Sequence, residues 1–234
     1  MLRKPRYKGP GELFMVKAVH DLTYHIYPEK TQRQLRLIPT RSLSTSFANE
    51  FAMEIHTHIG THIEGPYHCL EDGKKLDQLP VDKFVGEAAV VDLTRKTKLD
   101  REIRRTDLKE SGSHIRGGDI VLLFTGYDKL FTSEQMQSEE YMSNSPYLSD
   151  DAVDWLIDTK IKNMGIDFWS IERYPIDPKI GEPKHIRLFK NDIPFIHSLV
   201  NLSEIKSKRI FFAALPLLIS GLDSSPVRAV AIEF

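Results

Sequence analysis

The stretch SDDAVDWLIDTKIKNMGIDFWSI (residues 149–171) contains a helix signal followed directly by a strand signal. Ser149 precedes two acidic residues, and the apolar residues after them recur at helical spacing, which predicts a capped amphipathic helix over 149–161. The next run, 163–171, is short and apolar and is bounded by turn signals, as a buried strand would be. A helix that leads into such a strand is typical of a domain with a central sheet.

Further short apolar runs predict the other strands of this sheet, because each is bounded by turn signals. They span residues 84–93, 119–127, 209–219 and 226–234. Residues 106–113 indicate a shorter helix, with Gly112 as its stop. Because strands outnumber helices, we predict an α/β (α+β-like) fold built on a central sheet. A dinucleotide-binding fold is excluded, since no glycine fingerprint follows any of these strands.

Length and composition favour one domain. The chain has 234 residues, of which 41% are hydrophobic, and this is enough for a substantial core. Residues 1–14 are basic and rich in Pro and Gly. They predict a loose N-terminal arm ahead of a domain that spans 15–234.

Charge and cysteine content limit the classes of partner. The 32 basic and 33 acidic residues give a net charge of −1, so no electrostatic signal indicates binding to nucleic acid or to a membrane. Cys69 is the single cysteine and cannot form an intramolecular disulfide, which is typical of a reducing compartment. The sequence has no apolar run of about 18 residues and no signal-peptide pattern. We therefore predict a cytoplasmic protein that acts on a small-molecule substrate.

The segment HTHIGTHIEGPYHC (residues 56–69) carries the strongest chemical signal. It places four of the nine histidines around a Gly60–Thr61 turn, together with the carboxylate of Glu64. Imidazole nitrogen and carboxylate oxygen are ligands that suit Zn²⁺, Mn²⁺ or Fe²⁺. Glycine permits a tight bend, so His58, His62 and Glu64 can face one centre. Unconnected histidines beside a polar turn are the alternative, which so dense a cluster disfavours.

Three ligands from one loop would leave a coordination position of the metal open for water. A further histidine nearby could then act as general acid or base, because an unperturbed imidazole titrates near neutral pH. We assign this role to His68. We predict no catalytic role for the flanking residues His56 and Cys69, and we expect Cys69 to be buried and inert.

The string HIGTHIEGPYH (residues 58–68) resembles the H-x-G-T-H-x-D-x-P-x-H signature of the bacterial-type kynurenine formamidase and cyclase family of metal-dependent hydrolases, which includes isatin hydrolases. The similarity continues through DLTYHIYP (21–28), DIVLLFTGY (119–127) and KHIRLFKNDIPFIHSLVNLSEI (184–205). It covers nearly the whole chain beyond residue 20. The resemblance implies a central mixed β-sheet with flanking helices, of the swivelling β/β/α type, and a homodimer or homotetramer.

The resemblance also implies which residues bind metal. His58, His62 and Glu64 correspond to the metal ligands of the signature, and His68 corresponds to its proton-transfer histidine. A second ligand group, which is a His and a Glu in the family, corresponds to His185 and His197. Zn²⁺ is the first expectation and Mn²⁺ the second.

Two ligand positions depart from the family pattern. Glu64 stands where the family has aspartate, and His197 stands where it has glutamate. Both side chains can bind metal, but the second change removes a negative charge from the pair of metal positions. With Glu64 counted as the sole protein carboxylate there, we predict one firmly bound metal and a second that is weak or absent.

The resemblance implies hydrolysis of a C–N bond by metal-activated water. The first hypothesis is an arylformamidase that converts N-formyl-kynurenine to kynurenine and formate in tryptophan catabolism. The alternatives are hydrolysis of a different cyclic amide or lactone, as in isatin hydrolases, and a family member that binds metal or ligand with impaired catalysis. The changed residues Glu64 and His197 keep these alternatives open, because fold-level kinship does not fix the substrate.

Overall fold

The computed structural model describes residues 15–31, 33–97, 99–132, 134–136 and 138–234, and it shows one α/β domain. The predicted arm, residues 1–14, lies outside the described residues. The strands are β1 (Ala18–Asp21), β2 (Leu35–Arg41), β3 (Glu50–Ile55), β4 (His62–Glu64), β5 (Val85–Asp92), β6 (Glu102–Ile103), β7 (Ile120–Phe124), β8 (Tyr147–Leu148), β9 (Asn163–Ile166), β10 (Phe195–His197), β11 (Arg209–Ala213), β12 (Ser224–Pro226) and β13 (Val230–Glu233). The helices are α1 (Arg105–Ser111), α2 (Glu139–Ser143), α3 (Asp150–Asp158) and α4 (Pro183–Phe189). Within the described part of the chain, none of the helices has the length and apolar character needed to cross a membrane.

Nine strands form one mixed sheet in the order β1-β13-β11-β5-β7-β9-β10-β4-β12. Strands β5, β7, β9 and β10 run parallel, and the strands on either side of them pair antiparallel. Parallel strands need cover on both faces. One cluster of buried apolar side chains lies between the sheet and helices α1, α3 and α4, and a second cluster covers the other face. The predicted α/β class with a central mixed sheet is confirmed.

The helix and strand of the 149–171 stretch form where the pattern predicts them. Ser149 caps α3, since its side chain accepts a hydrogen bond from the Ala152 amide, and all four residues of β9 are buried. The strand ends earlier than predicted. Directly after it, the Asp167 carboxylate accepts hydrogen bonds from the amide and hydroxyl of Thr125 at the end of β7, so the chain turns there instead of continuing to residue 171.

The C-terminal strands are also shorter than predicted. The run 209–219 is a strand only as far as Ala213, and Pro216 in the following segment has no amide hydrogen for a neighbouring strand. The run 226–234 contributes β13, whereas Pro226 ends the separate strand β12. Strands β11 and β13 pair with each other, and the segment between them leaves this pair to reach β4.

The last three strands of the sheet, β10, β4 and β12, bring distant parts of the chain together. β4 pairs antiparallel with β10, which places His197 opposite His62, and with β12, which places Ser224 opposite Glu64. Side chains alternate along a strand. His62 and Glu64 therefore share one face, while Ile63 enters the apolar cluster on the other face.

Strands β2 and β3 form a separate two-stranded hairpin with little packing of its own. Phe51 and Met53 on this hairpin are more than half exposed, and Phe47 in its turn is 85% exposed. An isolated two-stranded hairpin is marginally stable in water. The residues at its base matter for the site, because Gln34 and His56 line the cavity described below.

Candidate metal centre

The turn at Gly60–Thr61 holds the histidine segment in a compact bend. Gly60 has a φ of +59°, and a Cβ there would lie 2.7 Å from the Ile26 side chain, so the bend requires glycine. The Thr61 hydroxyl donates to the Ser198 carbonyl (2.7 Å) and accepts from the Tyr24 amide (2.8 Å). The bend is thereby fixed against the chain just after β10, and the histidines on either side of it face one centre.

Glu64 lies at the middle of this centre. It is 4% exposed, and five histidines each place a ring nitrogen within hydrogen-bonding or near-contact distance of its carboxylate. The distances to the nearer carboxylate oxygen are 2.7 Å from His58 Nδ1, 3.2 Å from His197 Nε2, 3.3 Å from His62 Nε2, 3.8 Å from His185 Nε2 and 3.9 Å from His68 Nε2. The structure thus brings together all six residues that the sequence singled out.

The outer nitrogens of two histidines show where their hydrogens lie. His62 Nδ1 donates to the Gly60 carbonyl (2.8 Å) and His197 Nδ1 donates to the Trp169 carbonyl (2.8 Å), because a carbonyl can only accept. In a neutral imidazole the other nitrogen then carries no hydrogen. Nε2 of each ring therefore presents a lone pair to the Glu64 carboxylate.

Two of these facing atoms are buried and unsatisfied. Among the described residues, Glu64 Oε2 and His197 Nε2 have no hydrogen-bond partner, although they lie 3.2 Å apart. A buried polar atom without a partner costs about 1–3 kcal/mol. The rings of His62 and His197 stack with centroids 4.9 Å apart, so both lone pairs point to the same carboxylate. A cation between these atoms would satisfy all of them.

His58 and His185 repeat this arrangement with carboxylates as the outer acceptors. His58 Nε2 donates to Asp223 Oδ2 (2.8 Å), and His185 Nδ1 donates to Glu172 Oε1 (3.2 Å). Their inner nitrogens face Glu64. Metal-binding histidines commonly donate the outer N–H to a carbonyl or a carboxylate, which orients the ring. Four histidines therefore share one pattern, with an inner nitrogen toward Glu64 and an outer N–H on an acceptor.

The pKa values agree with a charged carboxylate among these histidines. Burial lowers the pKa of His62 to about 4, so this ring is neutral. Burial opposes the ionisation of Glu64, but the histidines around its carboxylate outweigh burial and hold the pKa of Glu64 well below its usual range. For His58, hydrogen bonds to Asp223 and Glu64 outweigh burial and raise the pKa.

His68 differs from the other four because each of its nitrogens faces an acid other than Glu64. Nδ1 lies 3.0 Å from Asp223 Oδ2, and Nε2 lies 3.3 Å from Glu182 Oε2. Burial lowers the pKa of His68, but the hydrogen bonds to these two acids outweigh burial and raise it to about 10. Burial raises the pKa of Glu182, but the hydrogen bond from His68 outweighs burial and lowers this pKa to about 2. His68 is thus an imidazolium, with a proton to give on each nitrogen.

Three acidic residues of the site were not predicted from the sequence, namely Asp223, Glu172 and Glu182. Asp223 immediately precedes β12, Glu172 follows β9, and Glu182 immediately precedes α4. None belongs to a local motif, because only the sheet topology brings them to the histidines. The polar segment 220–230 offered one signal, since it places an acidic residue between two strand runs.

The charge count behind the one-metal prediction is therefore wrong. It treated Glu64 as the sole carboxylate near the metal positions, whereas Asp223 contacts His58 and Glu172 contacts His185. These carboxylates reduce the repulsion that further positive charge would meet. One firm metal and a weak or absent second one stay a prediction.

The flanking residues His56 and Cys69 do not face Glu64 with the other side chains. His56 Nδ1 accepts the His58 amide hydrogen (3.0 Å), which supports the loop. Cys69 is half-buried rather than buried as predicted, and its thiol lies 3.4 Å from Glu182 Oε2. Burial and this negative charge raise the pKa of the thiol, and a protonated thiol is a poor nucleophile.

A cavity of about 790 Å³ opens onto the histidine cluster. Besides the cluster, the cavity is lined by the apolar side chains of Met136, Met142 and Trp169 and by the polar side chains of Arg33 and Gln34. Sites for small molecules commonly have this size and this combination of apolar walls with a few polar groups. The cavity can hold a substrate of one or two rings beside the cluster.

The donor set fits a divalent metal ion. His62, Glu64 and His197 offer ligand atoms that all lie within 4.8 Å of one another. The inner nitrogens of His58 and His185 extend this set around the same carboxylate. Histidine nitrogen and carboxylate oxygen suit Zn²⁺ or Mn²⁺. A buried carboxylate that four histidine nitrogens face, with a separate protonated histidine at a cavity, is an arrangement suited to metal-assisted hydrolysis.

Comparison with known proteins agrees with this class. A family model described as Putative cyclase matches residues 20–173. The chain is 33% identical over 182 residues to the kynurenine formamidase of Bacillus cereus, and this alignment covers 77% of this chain and 78% of that protein. The kynurenine formamidase of Salinibacter ruber is 29% identical over 205 residues, or 88% and 90% of the two chains. The chain therefore belongs to the cyclase family, as its signature predicted, and it is a hydrolase of that family.

Solved structures agree with the fold. A potential metal-dependent hydrolase with cyclase activity matches with a TM-score of 0.71 at 28% identity, over 93% of this chain and 98% of that chain. Isatin hydrolase A from Labrenzia aggregata matches with a TM-score of 0.78 at 21% identity, over 92% and 93% of the two chains. The predicted cyclase-family fold is confirmed.

Proposed function

We propose that this cyclase-family hydrolase is an arylformamidase, which hydrolyses N-formyl-kynurenine to kynurenine and formate with one firmly bound divalent metal, Zn²⁺ ahead of Mn²⁺. The observation that carries the proposal is the set of four histidine inner nitrogens around the buried carboxylate of Glu64, beside the protonated His68. The relatives named kynurenine formamidase support the choice of substrate.

Five residues would provide the ligands of the firm metal position and of the weaker second one: His58, His62, Glu64, His185 and His197. When bound, the metal supplies positive charge that acidifies a water molecule and polarises the carbonyl oxygen of a substrate. The four histidines are already oriented by their outer acceptors, so little reorganisation is required of the chain.

His68 supplies the proton for the leaving group. Hydrolysis breaks the bond between the formyl carbon and the aryl nitrogen, and the oxygen of water ends in formate. The departing nitrogen must gain a proton to leave as an amine. His68 lines the cavity, and because its pKa is about 10 it holds a proton on Nε2 at neutral pH. The water that is consumed returns a proton to the ring.

The cavity walls support an aromatic substrate. Trp169 lines the cavity and packs edge-on against Tyr174, with ring centroids 5.4 Å apart, which holds the indole in place. Met136 and Met142 add flexible apolar surface that can adapt to a ring. An aryl group can lie against these side chains while its formamide reaches the histidine cluster.

The test is turnover by the purified, metal-loaded protein. We expect hydrolysis of N-formyl-kynurenine, which is monitored through the absorbance of the kynurenine formed. We expect His68→Ala to lose this activity while its metal content is unchanged. The absence of kynurenine formation with fully metal-loaded protein would contradict the proposed substrate.

Two alternatives follow from the changed ligands Glu64 and His197. If the protein hydrolysed isatin or a lactone in preference to N-formyl-kynurenine, its substrate would be a cyclic amide or lactone. Metal binding without turnover on any of these compounds would assign it to the catalytically impaired members. The same panel of substrates therefore separates all three functions.

The expected assembly and location stay predictions. A homodimer or homotetramer is tested by size-exclusion chromatography with light scattering, and a cytoplasmic location is tested by cell fractionation. Metal analysis of protein purified without chelators tests the count of one metal per chain.

A further inference from the structure

Asp223 links the two kinds of histidine in the site. Its Oδ2 atom accepts hydrogen bonds from His58 Nε2 (2.8 Å) and from His68 Nδ1 (3.0 Å). A carboxylate can only accept, so both of these ring nitrogens carry hydrogen. A single oxygen atom therefore orients one histidine assigned to the metal and the histidine assigned to proton transfer.

The backbone around Asp223 fixes this oxygen relative to the cluster. The Asp223 carbonyl accepts a hydrogen bond from the Gly65 amide (2.9 Å), and the next residue, Ser224, pairs with Glu64 in the register of β12 and β4. The second carboxylate oxygen lies 3.5 Å from the Thr57 hydroxyl. Asp223 is thus held against the same strand that carries Glu64, and its position does not depend on a free loop.

We propose that Asp223 is a positioning residue that couples metal binding to proton transfer. It holds His58 with Nδ1 toward Glu64, and it holds His68 with Nε2 toward Glu182 and Glu64. The two rings lie 4.5 Å apart, so a shift of the shared carboxylate displaces both. The His68 half of the proposal rests on the proposed function, whereas the His58 half concerns metal binding alone.

Glu182 provides a contrast within the same site. Its carboxylate contacts His68 and Cys69, and it accepts no hydrogen bond from a histidine that faces Glu64 with its inner nitrogen, within the described ranges. Loss of Glu182 should therefore affect proton transfer and spare metal binding. Loss of Asp223 should affect both.

Asp77 provides the control for simple loosening of the segment. Its carboxylate accepts the Gly221 amide hydrogen (3.2 Å) and so anchors the same segment that carries Asp223, but Asp77 does not line the cavity. If Asp223 acted only by fastening the segment, Asp77→Ala would reproduce its loss.

The experiment compares Asp223→Ala, Asp223→Asn, Glu182→Gln and Asp77→Ala in the full chain. Zn²⁺ affinity is measured by competition with a chromophoric chelator, and kcat is measured on N-formyl-kynurenine at saturating Zn²⁺. Asp223→Ala should weaken Zn²⁺ binding by about 10–100-fold, the usual effect of losing an outer partner of a ligand histidine. It should also lower kcat when Zn²⁺ is saturating. Asp223→Asn should recover part of both, because its amide oxygen still accepts.

The two controls should separate the halves of the proposal. Glu182→Gln should lower kcat and leave the Zn²⁺ affinity unchanged, and Asp77→Ala should leave both unchanged. In a His68→Ala background, Asp223→Ala should still weaken Zn²⁺ binding by the same factor, because this effect passes through His58. Unfolding midpoints of the zinc-free variants check that each one folds.

Four results would contradict all or part of the proposal. Unchanged Zn²⁺ affinity in Asp223→Ala removes the His58 half, and unchanged kcat at saturating Zn²⁺ removes the His68 half. Equal losses of Zn²⁺ affinity and kcat in Asp77→Ala would show that the effect comes from loosening the segment that carries Asp223. A wild-type protein without turnover on N-formyl-kynurenine would overturn the proposed function and the His68 half with it, whereas the Zn²⁺ affinities would still decide the His58 half.

Discussion

In the deep part of the site, His62 and His197 each donate an outer N–H to a backbone carbonyl and keep a bare nitrogen toward Glu64. At the rim, His68 lies between Asp223 and Glu182 and keeps a hydrogen on both nitrogens. The side chain is the same in both places, and the acceptors around it differ. His62 and His197 each keep a lone pair that a metal could use, whereas His68, held between two acids, carries two protons.

The largest expected effect comes from Glu64→Gln, which removes the charge that the four inner nitrogens face. A neutral amide no longer attracts a cation, and we expect Zn²⁺ affinity to fall by more than about 100-fold, beyond the range for outer partners. Hydrolysis should be lost with the metal. Chelator competition and metal analysis after dialysis measure this loss. Glu134→Gln is the matched control, because Glu134 is exposed and pairs with Lys30. If Glu64→Gln retained Zn²⁺, the metal would have to bind outside the deep part of the site.

Substitution at the rim should separate catalysis from metal binding. We expect His68→Gln to lower kcat by about 10²–10⁴-fold, the usual contribution of a general acid, because glutamine has no proton to give. Zn²⁺ affinity should stay within about twofold of wild type. Steady-state kinetics with metal content determined on the same sample measures both. If the metal were lost together with activity, His68 would be a ligand and the distinction between rim and deep part would disappear.

Metal binding should stabilise the folded chain through the deep part of the site. At a free Zn²⁺ concentration 100 times its Kd, binding adds about 2.7 kcal/mol to the free energy of unfolding. For a chain of this size the unfolding midpoint should rise by about 5–10 °C. Differential scanning calorimetry with and without Zn²⁺ measures the rise. The same rise in Glu64→Gln would show that the stabilising ion binds elsewhere.

The smallest expected effect is that of His56→Ala. His56 belongs to the same segment as the predicted ligands, but it is exposed. Its Nδ1 accepts the His58 amide hydrogen, and its Nε2 lies 3.3 Å from the Arg33 guanidinium. Exposed substitutions of this kind usually change stability by less than about 0.5 kcal/mol. We expect Zn²⁺ affinity and kcat to change by less than about threefold, measured as for His68→Gln. A loss comparable with that of Glu64→Gln would add His56 to the deep part of the site.

The local half of the site could be predicted because its spacing is short. His58, His62 and Glu64 lie on either side of one bend that only glycine permits, so their meeting follows from local geometry. Asp223 could not be placed in this way. It lies 155 positions from His68 along the chain, and its contact depends on the pairing of β12 with β4.

The fold was predictable where apolar patterns coincided with burial. The runs that became β5, β7 and β9 each contain four consecutive buried residues, and their positions were correct to within a few residues, apart from the early end of β9. The run 209–219 was wrong beyond Ala213, because Leu217 and Leu218 are 51% and 88% exposed and form no strand. Apolar composition by itself did not distinguish a core strand from an exposed apolar segment.

The short strand β4 has its two neighbours far along the chain, since β10 and β12 both follow it by more than a hundred residues. At about 5–20 residues per second, a ribosome completes β12 on the order of ten to thirty seconds after His68. During that time the histidine segment lacks Asp223, the acceptor that later orients His58 and His68. Both rings are therefore oriented only once β12 has paired with β4, so selection of a metal by the oriented site would follow completion of the sheet.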